Sequence, residues 1–330
     1  MRIISASERV IRLQLSYRVQ GITPSDECFC VNGSVESRQR LVSVIVPVFN
    51  RSSLLSRAIQ SAVDQSHPEL EIIVVDDGST EDIDGVLREF DDERIVCLRH
   101  DTNRGVAAAR NTGLRHAHGH YIGFLDSDDE WFKNKVERQV ANLEGTEKRC
   151  KVSYHPLEVF DDTSSKVIEL TTFTEEGMIL GRMLQACYVG LIQIMMRREE
   201  FLRVGQFNEG FFSHDDWDML IRLSERCQFS YIDEVLARYH HHDGIDGMIS
   251  ARYEKYARDR TLLYELHRTL YEERRETHAH YLSDLAAFVA ITGDRRGARR
   301  LLLRSVALNP LRLDPYVKML LTLVGRRGVR

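Results

Sequence analysis

The sequence predicts an α/β fold: a mostly parallel sheet flanked by helices, with an α-helical extension at the C-terminal side. Three observations predict it. Nearly unbroken apolar runs, the pattern of strands covered on both faces, alternate four times with helical apolar stripes between residues 41 and 144. Polar clusters follow several of those runs, at the strand ends where open parallel sheets bind ligands. From residue 250 onward the apolar spacing is helical throughout.

Residues 11–20 alternate apolar and polar and predict a half-buried strand, and 21–40, rich in Gly, Pro, Ser and charge, read as linker. "LVSVIVPVF" from 41 is the first covered strand, and Leu54, Leu55, Ala58, Ile59, Ala62 and Val63 make the stripe of the following helix. "LEIIVVDDGS" is the second strand. Ser79 with Asp82 has the spacing of a capping box before Ile83, Val86, Leu87 and Phe90. "RIVCLRH" is the third strand, 105–117 a helix, "HYIGFLDSDD" the fourth strand, and 131–144 a helix. Within the helical C-terminal part, residues 293–310 resemble half of a tetratricopeptide unit. One such unit makes no solenoid, so a cap packed on the main domain is expected. The expected division is an N-terminal extension over 1–40, a main domain over 41–249 and a basic helical region over 250–330.

Composition narrows the classes. With 43% hydrophobic and 29% charged residues the chain reads as globular, and no apolar run has the ~20 residues of a membrane span. Residues 1–250 carry 28 Lys+Arg against 41 Asp+Glu, a net −13, whereas 251–330 carry 17 against 9, a net +8. The acidic body argues against nucleic acid as a partner. The basic end is compatible either with charge balance between packed parts or with peripheral attachment to an anionic membrane. Six cysteines without a CxxC pair read as reduced cytosolic thiols, so a cytoplasmic location, extending to the inner face of the membrane, is expected.

The chemistry lies in the acidic strand ends. Asp126, Asp128 and Asp129 crowd four positions after an apolar run, and such charges disfavour one another unless a cation sits among them. Residues two apart on an extended stretch share a face, so Asp126 and Asp128 are expected to converge. Neither GxxxxGK[ST] nor GxGxxG occurs. A divalent cation bridging carboxylates to a phosphorylated ligand would serve in place of a phosphate loop. His116, His118 and His120 straddle a helix end and a strand start, and read as surface residues rather than zinc ligands.

The ordered segments "VSVIVPVFN", "IIVVDDGST", "NRGVAAARNTGL", "YIGFLDSDDEW" and "DDWDMLIRL" resemble the motifs of family 2 glycosyltransferases of the GT-A fold, from about 41 to 245. The resemblance implies inverting transfer of a sugar from a nucleotide-diphosphate donor, a UDP-sugar foremost, to an acceptor hydroxyl on a glycan or lipid-linked acceptor. It implies that Pro47, Phe49 and Asn50 line the base pocket, that Asp77 accepts from the base and that Arg104 contacts the nucleotide. Asp126 would hold the ribose, and Asp128 with His242 would hold Mn²⁺ or Mg²⁺. Asp216 would be the catalytic base, and Asp215 would orient the acceptor. A catalytically silent scaffold and a nucleotidyltransferase are the alternatives.

Overall fold

The computed structural model describes residues 40–145, 150–241 and 253–324. The strand expected over 11–20, the linker expected over 21–40 except Arg40, and His242 lie outside the described residues. The described residues belong to one compact unit. In chain order the elements are β1 (Val42–Val48), α1 (Ser52–Val63), β2 (Leu70–Asp76), α2 (Ile83–Arg88), β3 (Ile95–Arg99), α3 (Val106–His116) and β4 (Tyr121–Phe124). There follow β5 (Glu130–Trp131), α4 (Lys135–Glu144), β6 (Lys151–Tyr154), β7 (Leu157–Asp161), β8 (Lys166–Leu170), α5 (Leu180–Met183), β9 (Met195–Arg197) and α6 (Arg198–Val204). Then come α7 (Asp215–Arg226), β10 (Gln228–Tyr231) and β11 (Ala237–His241), and a helical region of α8 (Tyr253–Leu266), α9 (Arg268–Glu272), α10 (Arg275–Ile291), α11 (Arg295–Leu308) and α12 (Asp314–Val324).

The central sheet runs β10-β6-β9-β4-β1-β2-β3, parallel except for β9, which is antiparallel to both its neighbours. A smaller sheet runs β5-β11-β7-β8. On β1, Val42, Val44, Val46 and Val48 pack into one core cluster and Ile45 into the other, so both faces of the strand are covered. That is why the run reads as unbroken apolar rather than alternating. Helix α3 lies close over β1: a Cβ on Gly113 would come 2.5 Å from Ile45 Cγ2, so only glycine permits this approach. Strand β1 is flanked by β2 and β4, and strand order reverses there, opening a crevice beyond the carboxyl ends of β1 and β4.

Two local expectations are corrected. The cap of α2 is Asp82, which accepts from Gly85 N at 2.8 Å; the Oγ of Ser79 instead accepts from Asn50 N at 2.9 Å, joining the ends of β1 and β2. And Cys150 and Cys227 are joined by a disulfide, Cα to Cα 4.8 Å. They precede β6 and β10, whose parallel register pairs Lys151 with Gln228. A separation of 77 residues hid that proximity from any local reading.

Candidate active site

Three strand ends meet at the crevice. Pro47 is buried in β1, and Phe49 beyond it is 42% exposed. Asn50 takes the left-handed region (φ 49°), and its Oδ1 accepts from Thr80 N at 2.8 Å, tying the end of β1 to the β2 turn. In that turn Gly78 (φ 76°) passes the backbone of Thr102, where a Cβ would clash at 2.6 Å. Asp77 is buried, and its carboxylate accepts from Arg104 N (2.9 Å), Gly105 N (2.7 Å) and His100 Nδ1 (2.6 Å). It therefore holds the segment that carries Arg104, with Oδ1 taking two donors and Oδ2 one. The Arg104 side chain is half exposed, 3.8 Å from Glu209.

The acidic cluster after β4 is a turn, with Asp129 N bonded to Asp126 O, and not the extended stretch the spacing suggested. Asp126 and Asp128 accordingly take different partners. Asp126 accepts from Arg110 Nη2 at 2.9 Å, while Asp128 ion-pairs with Arg51 and its carbonyl accepts from Arg57 Nη2 at 2.6 Å. Asp129 is buried and accepts from His240 N at 3.0 Å. Burial, then the charges of Asp128 and Asp126, hold its carboxyl well above the usual carboxylate range. His240, inside the three-histidine run, is itself buried between Asp162 (2.6 Å) and Glu130 (3.4 Å).

The residue that links these ends is Arg110, on α3, which the motif reading passed over. Its buried guanidinium spans Asp126 Oδ1 (2.9 Å) and Asp215 Oδ2 (2.8 Å), joining the turn after β4 to the start of α7. Burial would lower its pKa; the carboxylates of Asp126, Asp215 and Asp216 outweigh that and raise it. A buried arginine is rare without a partner, so its position six residues after Arg104 was a usable signal only once its partners were known.

Asp215 and Asp216 part company at the N-terminus of α7, where acidic side chains suit the helix dipole. Asp215 is buried against Arg110. Asp216 instead lines a cleft of about 360 Å³ with His214, Trp217, Cys187, Tyr256, Arg260 and Asp284. Its carboxyl is pushed up to about 6, by burial first and by the Asp215 charge second, with Arg110 and the Trp217 backbone N–H opposing. The far wall comes from the helical region: Tyr256 and Arg260 from α8, Asp284 from α10. Asp259 of α8, fully buried, accepts from Phe212 N (2.8 Å) and Ser213 N (2.7 Å), clamping the loop that leads into α7.

Whether a divalent cation suits this set is a question of donors. Among the described residues no group of three or more His, Cys, Asp or Glu is arranged to hold a metal ion. Asp126 and Asp128 nevertheless offer hard oxygen donors, and their charges add to the burial that raises the carboxyl of Asp129. Mg²⁺ is commonly bound by one or two carboxylates with the remaining positions filled by water and substrate phosphates, so the donor chemistry suits such an ion, provided that Arg110 and Arg51, which hold Asp126 and Asp128 here, give way.

The model for glycosyl transferase family 2 matches residues 43–198. The UDP-Glc:α-D-GlcNAc-diphosphoundecaprenol β-1,3-glucosyltransferase WfgD of Escherichia coli is 32% identical over 193 residues, covering 58% of this chain and 73% of that protein. The chain belongs to glycosyltransferase family 2. Another relative, the amylovoran biosynthesis glycosyltransferase AmsB of Erwinia amylovora, is 32% identical over 60% of this chain and 69% of its own. Against uncharacterized glycosyltransferases of Rickettsia bellii and Rickettsia felis, 30% and 31% identical over 66% and 60% of this chain, the match spans only 31% and 32% of their length. Staphylococcus aureus TarS 1–349 in complex with UDP-GlcNAc superposes with a TM-score of 0.58 at 19% identity, over 86% of this chain and 91% of that one. The fold is therefore the GT-A fold of this family, with the helical region following it.

Proposed function

We propose that this family 2 chain transfers a sugar, with inversion, from a UDP-sugar to a hydroxyl of a glycan on a lipid diphosphate carrier, in the synthesis of a cell-surface polysaccharide. The observation that carries the reading is the divergence of Asp215 and Asp216: one is spent on Arg110, while the other faces a cleft with a carboxyl poised near neutrality. In this scheme Asp216 takes the proton of the acceptor hydroxyl as its oxygen attacks the anomeric carbon. Phe49, Asn50 and Arg104 border the nucleotide, with Pro47 and Asp77 positioning them, and Arg110 keeps the donor and acceptor halves in register. Asp126 and Asp128 would hold Mg²⁺ or Mn²⁺, which when bound supplies charge neutralisation for the departing diphosphate. The catalytic domain would span 41–249, and the helical region over 250–330 would complete the acceptor side. The name of the WfgD relative supports the donor and acceptor classes, and that of AmsB the role in polysaccharide synthesis.

Calorimetry tests the donor side. The parent is expected to bind UDP more tightly with Mn²⁺ than without. Asp128→Ala is expected to lose that dependence with only a modest fall in melting temperature, because the Arg51 it leaves unpaired is partly exposed to solvent. Equal Mn²⁺ dependence in parent and variant would overturn the assignment of Asp128, and no UDP binding by the parent would overturn the reading as a whole.

A lipid-linked acceptor also implies contact with a membrane. No helix among the described residues is long and apolar enough to cross one. Near α12, however, Leu311 (90% exposed), Leu313, Val317 and Leu320 stand out to solvent, and the exposed Arg295, Arg296, Arg300 and Arg304 lie on α11. Exposed apolar side chains and arginines on successive helices suit an anionic lipid surface. The chain is expected to float with phosphatidylglycerol-containing vesicles at low salt and to detach at high salt. Leu311→Asp combined with Leu320→Asp is expected to abolish flotation, and absence of parent flotation at low salt would refute attachment through this face.

A further inference from the structure

The cleft at Asp216 contains a charge that the proton-transfer scheme leaves unused. Arg260 of α8 lies over three rings, its guanidinium carbon 5.0 Å from the Trp217 centroid, 5.4 Å from Tyr281 and 4.5 Å from Phe288. Its Nε is buried without a hydrogen-bond partner, and among the described residues no carboxylate pairs with it. The other charged groups around the cleft are already matched. Asp284 is bound by Lys318 at 2.8 Å and lies 3.4 Å from His280, and Asp259 is taken up by the 212–213 backbone. Asp216 accepts from Trp217 N at 2.7 Å. An arginine fixed by aromatic faces loses little side-chain freedom when it binds, and its planar fork matches phosphate oxygens. The rings that hold it also shield its flank from water, which strengthens any anion contact.

We infer that Arg260 is the acceptor-side anion receptor of this enzyme, binding a phosphoryl group that the acceptor carries next to the sugar whose hydroxyl Asp216 deprotonates. The inference rests on the glycosyltransferase reading above and adds a requirement to it: an acceptor bearing a phosphodiester or diphosphate is recognised, and the same glycan without one is not. It also makes the helical region part of the active site, since Arg260 belongs to α8 while Trp217, over whose ring it lies, belongs to α7.

The test measures, by calorimetry with the full chain and saturating UDP and Mn²⁺, binding of a GlcNAc α-diphosphate with a short alkyl tail and of the corresponding phosphate-free alkyl GlcNAc glycoside. The parent is expected to prefer the diphosphate. Arg260→Met, which keeps an apolar stem against the rings, is expected to weaken diphosphate binding by about 10- to 100-fold, to leave the neutral glycoside unchanged and to leave UDP affinity unchanged. Arg260→Lys, retaining charge but not the fork, is expected to fall between. Inorganic pyrophosphate competing as well as the diphosphate glycoside would mean that the anion alone is recognised, and would overturn the link to an acceptor sugar. The inference also fails if the parent binds both glycosides equally, if Arg260→Met loses both equally, if a folded Arg260→Lys is as weak as Arg260→Met, or if Arg260→Met loses UDP, which would place Arg260 on the donor. Loss of UDP binding by the parent itself would strike the underlying reading instead.

Discussion

Replacing Asp216 with Asn is expected to lower turnover by roughly 10²–10⁴-fold while leaving donor affinity nearly unchanged, the size of effect that general-base catalysis commonly supplies. Asn keeps the shape of the side chain and its acceptor toward Trp217 N but cannot take a proton. The parent should also show an acidic limb in kcat/KM, which reports the ionisation of the free enzyme. With the Asp216 carboxyl pushed up to about 6, the base is half protonated there, so kcat/KM rises with pH through about 6 and then levels. The variant should lack this limb. Stability runs the opposite way. A folded-state pKa raised above the unfolded value of 3.8 means the unfolded chain loses its proton first, so this group's contribution declines as pH rises from about 4 through 6. Asp216→Asn should therefore be as stable as the parent at pH 4 and more stable at pH 8. Asp215→Asn is a different experiment, because Asp215 is buried on Arg110. It should cost stability, with a smaller direct effect on proton transfer. A variant Asp215→Asn that abolishes turnover while staying folded, beside an active Asp216→Asn, would exchange the two roles.

Arg110→Met should destabilise the fold by about 3–5 kcal/mol, the usual cost of removing one partner from a buried ion pair. The larger share comes from Asp215, which is buried; Asp126, with a side chain 35% exposed, can recover hydration. Without the guanidinium the carboxylates at the head of α7 must ionise beside one another, so the loss in urea midpoint should be larger at pH 8 than at pH 5. Adding Asp215→Asn should restore part of the stability, since the stranded charge is then gone. Additive losses in the double variant would refute the bridge. Arg110→Lys should be intermediate, because an ammonium lacks the fork that reaches both carboxylates.

Much of this was readable in the chain before any coordinates. The covered strands were legible because β1 and β2 bury both faces and so leave no polar alternation, and the helices because their apolar stripes keep one phase. The acidic strand ends were legible because three aspartates in four positions are unusual after a buried run. What the sequence could not determine was pairing. The turn after β4 sends Asp126 to Arg110 and Asp128 to Arg51, a division that an extended reading of Asp-x-Asp reverses. Asp77 also takes donors from a loop 23 to 28 residues away, partners no local spacing reveals. Cys150 meets Cys227 only because two strands run in parallel register. The aromatic seat of Arg260 draws on α7, α8 and α10, which the chain separates by up to 71 residues between Trp217 and Phe288. Periodicity and local spacing report what each segment must bury, and they are properties of neighbours along the chain. The partner of a charge is set by which segments the core brings together, and that is decided only when the whole sheet and its helices close around it.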